Sequence, residues 1–529
     1  LTGPGSGGIL GSAGRGGNIT KDRYQGAGGL VSFYRVVTRR DFLTGLGVGA
    51  LIVGFEPLQR VWVSSADAAT FPRFQHIPPL DGTLLVDPAS RQADSRDLGR
   101  IAEQVPYAVL RPGSVRDIQK MIWFCRLHRI KVATRGQGHT THGQGLVQGL
   151  IIENRSLRQI HSIGPAGADV DAGVLWRELA HAAVEQGLTP PAFTTYVGLS
   201  IAGTLSVGGF PAHNDHGLQI DRVRELEVVT GAGERVRCSL RQHRDLFEVM
   251  LGGLGQCGVI TRATVDLVPA RALARTYLLH YPASATAAYL ADMRTLVGRG
   301  ELDGVYTLLF PQPGTGTLLA QLNALAFYDP DQPPDDQHLL RGLNLPPAAA
   351  QVSTTGYLDW VQRYDPVIEQ WRQTQGWDDV IKPWFDVILP STEIERYAAA
   401  VIPTLTFGDF GPTGIGFVFP QRRSRLTRPF FRIPAPDGED WVFLFDILTS
   451  STRPGPDPAF TAAMLARNRR LYDKARAVGG TRYPIGALDF TPADWQAQYG
   501  DLWPELVRRK RRYDPDHILT PGPQIFGPA

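Results

Sequence analysis

Between Lys131 and Asn154 the chain reads KVATRGQGHTTHGQGLVQGLIIEN, and this stretch limits what the chain can fold into more than any other. An apolar lead-in from Lys131 to Thr134 and an apolar return from Leu150 to Ile152 predict two short strands. The loop between them is rich in glycine. Gly136, Gly138, Gly143 and Gly145 permit sharp turns and let backbone approach a ligand where a Cβ would stand in the way. Arg135, Gln137, His139, Thr140, His142 and Gln144 alternate with them and supply donors or nucleophiles. Such a loop between strands suits a cradle for a phosphate-bearing cofactor, with backbone N–H groups as donors. Taken alone, the stretch also fits a set of turns that holds no ligand.

The neighbouring sequence supplies the setting. Tyr107 to Leu110 reads as a strand, and Val115 to His128 as an amphipathic helix with Ser114 at its N-cap and Asp117 in its first turn. Strands are expected at Ile160 to Ile163 and Val170 to Ala172, and a helix at Leu175 to Gln186 with Leu175, Leu179, Ala182 and Ala183 on one face. Short strands alternating with helices predict an α+β unit. A second glycine-rich stretch, Ala192 to Gly217, carries Gly203-Thr204-Leu205-Ser206 and Gly208-Gly209. Read as a loop, it offers hydroxyls and N–H groups to a pyrophosphate without any lysine, or else is a tight turn that needs small residues. Gly253-Leu254-Gly255-Gln256-Cys257-Gly258 matches the dinucleotide pattern only in form. The expected helix Leu246 to Leu251 leads in and the strand Val259 to Leu267 leads out, which reverses the order a nicotinamide-type site requires.

Ahead of this region lies an address. Thr38-Arg39-Arg40-Asp41-Phe42-Leu43 precedes an apolar run to Phe55 and the small-residue triplet Ala66-Asp67-Ala68, the pattern of a twin-arginine export signal. The run is shorter than the ~20 residues of a membrane-spanning helix. Residues 1–69 are therefore read as a disordered leader plus signal peptide, with no stable membrane insertion once it is removed, and the mature chain is expected to start near Phe71. The 54 basic and 51 acidic side chains nearly cancel, which argues against nucleic acid as a partner. Cys125, Cys238 and Cys257 are scattered and odd in number, so neither a disulfide framework nor a zinc site is indicated.

Several of these stretches together resemble the flavin-linked oxidases with a PCMH-type FAD-binding domain, cytokinin dehydrogenases above all. The matching residues are Arg135-Gly136-Gln137-Gly138-His139-Thr140 with Gln144, then Gly203 to Ser206, His216-Gly217, Gly252 to Gln256 and Val259 to Arg262. The tail from Arg512 to Pro515 and from Ile518 to Gly522 completes the order. The resemblance implies an α+β fold: an FAD-binding domain of two α+β subdomains, interrupted by a substrate cap built on a large antiparallel sheet flanked by helices. The boundaries it suggests are 70–270 for the FAD domain, 271–485 for the cap and 486–529 for a segment returning to the FAD domain. Cap strands are expected at Thr276 to Tyr281, Val305 to Phe310, Leu318 to Phe327, Phe385 to Leu389, Ile415 to Phe419 and Val442 to Leu448. Cap helices are expected at Ala285 to Leu296, Tyr357 to Gln370, Ser391 to Ala400 and Ala459 to Ala477.

The same resemblance implies that His139 carries FAD through a covalent bond to the flavin 8α carbon. Thr134, Gly136, Gln137, Gly138, Thr140 and Gln144 would line the cofactor, with Thr195, Ser200, Ser206, Phe210, Ile260, Tyr483, Thr520 and Gln524 at further positions. Pro523 stands where the family often has glutamine, so Gln524 is displaced by one place. His142 has no family counterpart and reads as an ordinary polar loop residue. Thr195, in Phe193-Thr194-Thr195-Tyr196, replaces the aspartate that in cytokinin dehydrogenases accepts the substrate proton. A threonine hydroxyl is far too weak a base near neutral pH. Asp446, within the apolar strand VFLFDIL, is the candidate replacement, with a raised pKa if buried, unless it serves a structural hydrogen bond. Tyr196 and Tyr483 are placed to orient a substrate.

The expected activity is an FAD-dependent oxidation at a CH–NH or CH–OH group of a small aromatic or planar molecule, with oxygen or a quinone as the electron acceptor. A carbohydrate or aldonolactone oxidase on the same scaffold, or a flavin-binding protein impaired in turnover, are the alternatives.

Overall fold

A computed structural model describes residues 52–70, 74–312 and 317–527. The paired arginines of the expected export signal lie outside these. The strand expected after Tyr107 forms as Ala108–Arg111, and Val132–Arg135 and Leu150–Glu153 bracket the glycine-rich loop. With Thr83–Leu85 they make a four-stranded sheet in which Leu150–Glu153 runs parallel to both Ala108–Arg111 and Val132–Arg135. The helix Val115–Leu127 covers this sheet with Ile118, Met121, Ile122, Phe124 and Cys125, all buried, as its helical spacing dictates.

A second sheet, of five antiparallel strands, takes the order Arg235–Ser239, Val223–Thr230, Gly258–Val265, Gly167–Asp171, Ile160–Gly164. The third sheet is the largest. Its eight antiparallel strands run in the order Gln351–Gly356, Leu273–Pro282, Leu318–Tyr328, Gly304–Pro311, Ile415–Arg422, Trp441–Leu448, Phe385–Pro390, Thr481–Arg482. The architecture is thus α+β, two mixed units beside a cap on a large antiparallel sheet. One hydrophobic core runs through the five- and eight-stranded sheets, from Ala168 to Ile525.

The C-terminal segment returns to the four-stranded sheet. The Val132 N–H donates to the Ile518 carbonyl (2.8 Å), and the Thr520 N–H to the Val132 carbonyl (2.7 Å). Asp514 accepts from the N–H groups of Ile518 and Leu519, and Lys510 donates to the Leu519 carbonyl. A fully buried ion pair therefore fixes this crossing.

Four local features differ from the sequence reading. The stretch Ala192 to Gly217 is not a continuous loop, because Ile201–Val207 forms a helix that ends where Gly208 takes φ 143°. The expected helix Tyr357 to Gln370 is two, Tyr357–Val361 and Asp365–Gln375, with Pro366 in the first turn of the second, where it lacks no needed donor. Gln351–Gly356, too polar to read as a strand, pairs as an exposed edge, where polar side chains are favoured. Residues at the end of the expected leader, Ile52–Glu56 and Val61–Ser64, form a hairpin. Its Phe55 packs edge-on to Phe124 and its Trp62 stacks on the same ring. Among the described residues no helix is long and apolar enough to cross a membrane.

Candidate active site

The glycine-rich loop faces the eight-stranded sheet across a cavity of about 1930 Å³, counted to its open mouth. Thr134, Gly136, Gln137, Gly138, His139, Thr140 and Gln144 all line it. Gly138 sits at φ 65°, a conformation that a side chain would strain, and a Cβ there would stand 2.5 Å from the Arg135 guanidinium. Arg135 is itself held from behind by Asp94 at 3.1 Å. Among the described residues nothing accepts from the backbone N–H groups of Gly136 through Thr140, so five consecutive donors are left for a ligand. Gln144 pins the opposite wall. Its amide donates to the carbonyls of Pro484, Ile485 and Gly486 (3.1, 3.1 and 3.2 Å), while its oxygen accepts from the His142 N–H. His142 pairs with Asp489 at 3.2 Å, the ordinary polar contact expected of it.

His139 stands at the centre of this loop and lines the cavity. Its ring stacks on Tyr196 (centroids 5.5 Å apart, 29° between planes) and meets Trp384 edge-on at 5.5 Å. One edge of the ring opens to the cavity, but protein surrounds it at longer range. Burial, with smaller contributions from the charges of Lys382 and Arg372, pushes its pKa down to about 3. The imidazole is therefore neutral at pH 7, with a free lone pair, as a nucleophile must be.

The second wall comes from Thr194 to Ser206. Thr195, Tyr196, Ser200 and Ser206 reach the cavity, but Thr204 spends its hydroxyl on structure, accepting from the Trp176 indole N–H at 2.7 Å. Phe210, Ile260, Tyr483 and Thr520 also line the cavity. Gln524 does not. Pro523 uses its carbonyl to accept from the Trp495 indole at 2.8 Å, and the chain then turns at φ 55° so that Gln524 points to solvent.

The third wall is one face of the eight-stranded sheet. Alternation along three adjacent strands puts Ile415, Phe417 and Phe419, then Leu444, Asp446 and Leu448, then Trp384 and Asp386 toward the cavity. Asp386 and Asp446 are direct cross-strand partners, and Phe417 is the partner of Asp446 on its other side. Both carboxylates are buried, and Oδ2 of Asp386 and Oδ1 of Asp446 have no hydrogen-bond partner among the described residues. Burial first, and then the neighbouring carboxylate, raises Asp446 well above the usual range. Burial raises Asp386 to about 7, against smaller lowering by Asp446 and Arg482. Like charges this close in an apolar wall cannot both ionise.

Residues 106–239 match the family model described as FAD binding domain, and residues 322–526 match the one described as cytokinin dehydrogenase 1, FAD and cytokinin binding. A protein of Rhodococcoides fascians, "Uncharacterized oxidoreductase ORF5 in fasciation locus", is 33% identical over 445 residues, which is 84% of this chain and 99% of that protein. Cytokinin dehydrogenase 8 of Oryza sativa subsp. indica is 32% identical over 505 residues, 84% of this chain and 93% of its own. The chain belongs to the cytokinin dehydrogenase family. It is an FAD-linked oxidoreductase. Cytokinin dehydrogenase 1 of Arabidopsis thaliana, at 29% identity, covers the same 84%.

The cavity of this family member fits FAD. The five free N–H groups of the loop suit an anionic or carbonyl-bearing ligand, while the buried, unpartnered Oδ1 atoms of Asn154 and Asp97 line the same cavity as acceptors. Two polar residues here escaped the sequence reading. Asp97 accepts from Thr140 Oγ1 (2.9 Å) and from the Gly143 N–H (2.6 Å), bracing the loop around His139. Its lead-in segment carries no apolar period that would have placed it. Asp386 was legible, since it breaks the apolar strand Phe385–Pro390 as Asp446 breaks its own.

Proposed function

We propose that this chain is an exported enzyme that oxidises a CH–NH or CH–OH group of a small aromatic or planar molecule, with FAD bonded covalently to His139. The neutral His139 ring, clamped between Tyr196 and Trp384 on the glycine-rich loop, carries the reading. When bound, the flavin supplies a two-electron acceptor, which oxygen or a quinone returns to the oxidised state. The residues of the chain do the rest. Tyr196, Tyr364, Trp371, Trp377 and Trp384 give the open side of the cavity aromatic faces, and Ile368 and Ile485 close the gaps between them. These surfaces bind a planar molecule by stacking and exclude water from the reacting carbon.

Thr195 stands at the cavity wall without a carboxylate of its own. Rapid oxidation of cytokinins by an aspartate at this position is therefore not expected, and Asp446 is the acid–base group of choice. The experiment is an anaerobic screen of aromatic alcohols, aromatic amines, cytokinins, sugars and aldonolactones for bleaching of the flavin. Bleaching by an aromatic alcohol or amine is the expected result. Bleaching by sugars alone would replace this reading with a carbohydrate oxidase, and bleaching only by dithionite would leave a flavin-binding protein. Export through Arg39 and Arg40 is tested by changing both to lysine, which should retain the protein in the cytoplasm.

A further inference from the structure

The base that Thr195 cannot provide has a structural substitute, and it is two residues rather than one. Asp386 and Asp446 lie in register on neighbouring strands, side by side on the cavity face, among Phe417, Leu444 and Trp384. Each keeps one carboxylate oxygen buried and unpartnered. In a structural role those oxygens would be matched by donors. Arg482, on the adjoining strand Thr481–Arg482, is the charged group that acts on Asp386, and it forms no ion pair with either carboxylate among the described residues. Its guanidinium donates to the Gly486 carbonyl at 2.9 Å and lies over the Phe490 and Trp495 rings. Tyr483 is the other titratable neighbour, and the two carboxylates help to keep its hydroxyl protonated. Asn468, from the long helix Pro458–Ala477, spends its amide on the carbonyls of Pro383, Trp384 and Ala487 and leaves the pair alone. Phe417 is apolar, and Gly486 lies against Asp386 Oδ2 without a side chain.

Charge balance then sets the proton count. Two ionised carboxylates would repel each other in an apolar wall, and two protonated ones would take the charge of Asp386 away from Arg482, leaving it only the carboxylates of Asp489 and Asp494. One proton between the two satisfies both conditions. We propose that Asp386 and Asp446 share a single proton in the resting enzyme and together accept the proton that leaves the substrate's N–H or O–H, which makes the pair the general base of this family member. The proposal rests on the oxidoreductase reading above. In the step, the substrate C–H bond breaks and its electron pair leaves as hydride to the bound flavin. The X–H bond also breaks, its electrons make the C=N or C=O double bond, and its proton joins the pair, which then holds two protons. The second proton then leaves to solvent through the open mouth of the cavity.

The same arrangement sets specificity. A pair with one negative charge in an apolar wall accepts one hydrogen-bond donor and repels a carboxylate or phosphate, so substrates are neutral or cationic at the reacting end. This goes beyond the planar shape that the aromatic wall selects.

The test uses flavin-loaded enzyme and the isosteric variants Asp386→Asn and Asp446→Asn. Infrared spectroscopy of the resting wild type in H2O and D2O should show the deuterium-sensitive carbonyl stretch of one buried carboxylic acid. Each single variant should lose or shift it. Anaerobic flavin reduction by the best substrate from the screen should slow by ~10²-fold or more in each variant, the usual worth of a general base. The wild-type rate should rise with pH through a neutral apparent pKa, a limb absent from the variants, while substrate affinity changes less than the rate. Should Asp386→Asn not fold, Asp446→Asn and Asp446→Glu carry the same comparison. Absence of the infrared band in wild type, or its persistence in both variants, overturns the shared proton. Wild-type rates of flavin reduction in Asp446→Asn overturn the base role. If no substrate bleaches the flavin, the functional reading fails separately, and the infrared band still decides the pair.

Discussion

The proposed bond between His139 and FAD has a consequence in pH that can be calculated. An imidazole attacks only when neutral. An ordinary histidine, with a pKa of about 6.5, is about 97% neutral at pH 8 but only about 3% neutral at pH 5, a loss of roughly 30-fold. His139, held down to about 3 mainly by burial, remains almost wholly neutral over that range. Flavin bound in the cavity would exclude further water from the ring and strengthen the effect. Apoprotein made under flavin starvation and then mixed with FAD should therefore acquire covalent flavin at rates that vary less than about 3-fold from pH 5 to pH 8, against the roughly 30-fold of an unperturbed ring. Attachment is followed by acid precipitation, yellow colour retained on the polypeptide, and the mass of a peptide containing residue 139. His139→Ala should give no retained colour. Its non-covalent binding of FAD over the same pH range separates loss of affinity from loss of nucleophile. A steep fall in attachment below pH 6.5, with binding by His139→Ala intact, would refute the argument that the fold keeps this ring neutral.

Two more predictions concern other residues. Thr195→Asp, which restores a carboxylate at the cavity wall, should speed oxidation of cytokinins by ~10²-fold or more and leave an alcohol substrate unaffected. Wild type already as fast as Thr195→Asp on cytokinins, in a stopped-flow trace, would show that Thr195 was given too much weight. His213 is buried between His216, Phe327 and Trp360, and burial pushes its pKa down to about 3. Its folded value is depressed, so its contribution is intact above pH 6.5 and is lost as the unfolded chain takes up a proton that the folded chain refuses. From pH 6.5 to 4.5 that amounts to about 2.3 kcal/mol, because at pH 6.5 the unfolded ring is already half protonated. Urea unfolding at the two pH values should show His213→Phe losing about that much less than wild type, and equal losses in both proteins would remove His213 as a source of acid sensitivity.

Much of this site could be read along the chain because its signals are local. Glycines at 136, 138, 143 and 145 between two apolar runs require a turning loop between strands, and the loop forms between Val132–Arg135 and Leu150–Glu153. Alternation in VFLFDIL put Asp446 on one face with Leu444 and Leu448, and these three do share the cavity. Local reading failed where a short segment had two acceptable states. Ile201–Val207 is rich enough in small residues to pass as a loop, and packing of Ile201, Ala202 and Leu205 into the core makes it a helix. Gln524 shows the same limit, since nothing near it in sequence announces that Trp495 would capture the Pro523 carbonyl.

The pairing of Asp386 with Asp446 was beyond any reading along the chain. Each could be seen as a carboxylate in an apolar strand, but the two strands are far apart in sequence, and only hydrogen-bonded register decides which residues face each other. A slip of one residue would have turned one of the carboxylates away from the cavity. The sequence by itself determined the glycine-rich loop and the histidine within it, because residue type and spacing are enough for those, while Thr195 stood out only against the resemblance to the family. The tertiary structure decided that two acids so distant along the chain lie side by side in an apolar wall, where burial raises each above the usual carboxylate range and like charges cannot both ionise.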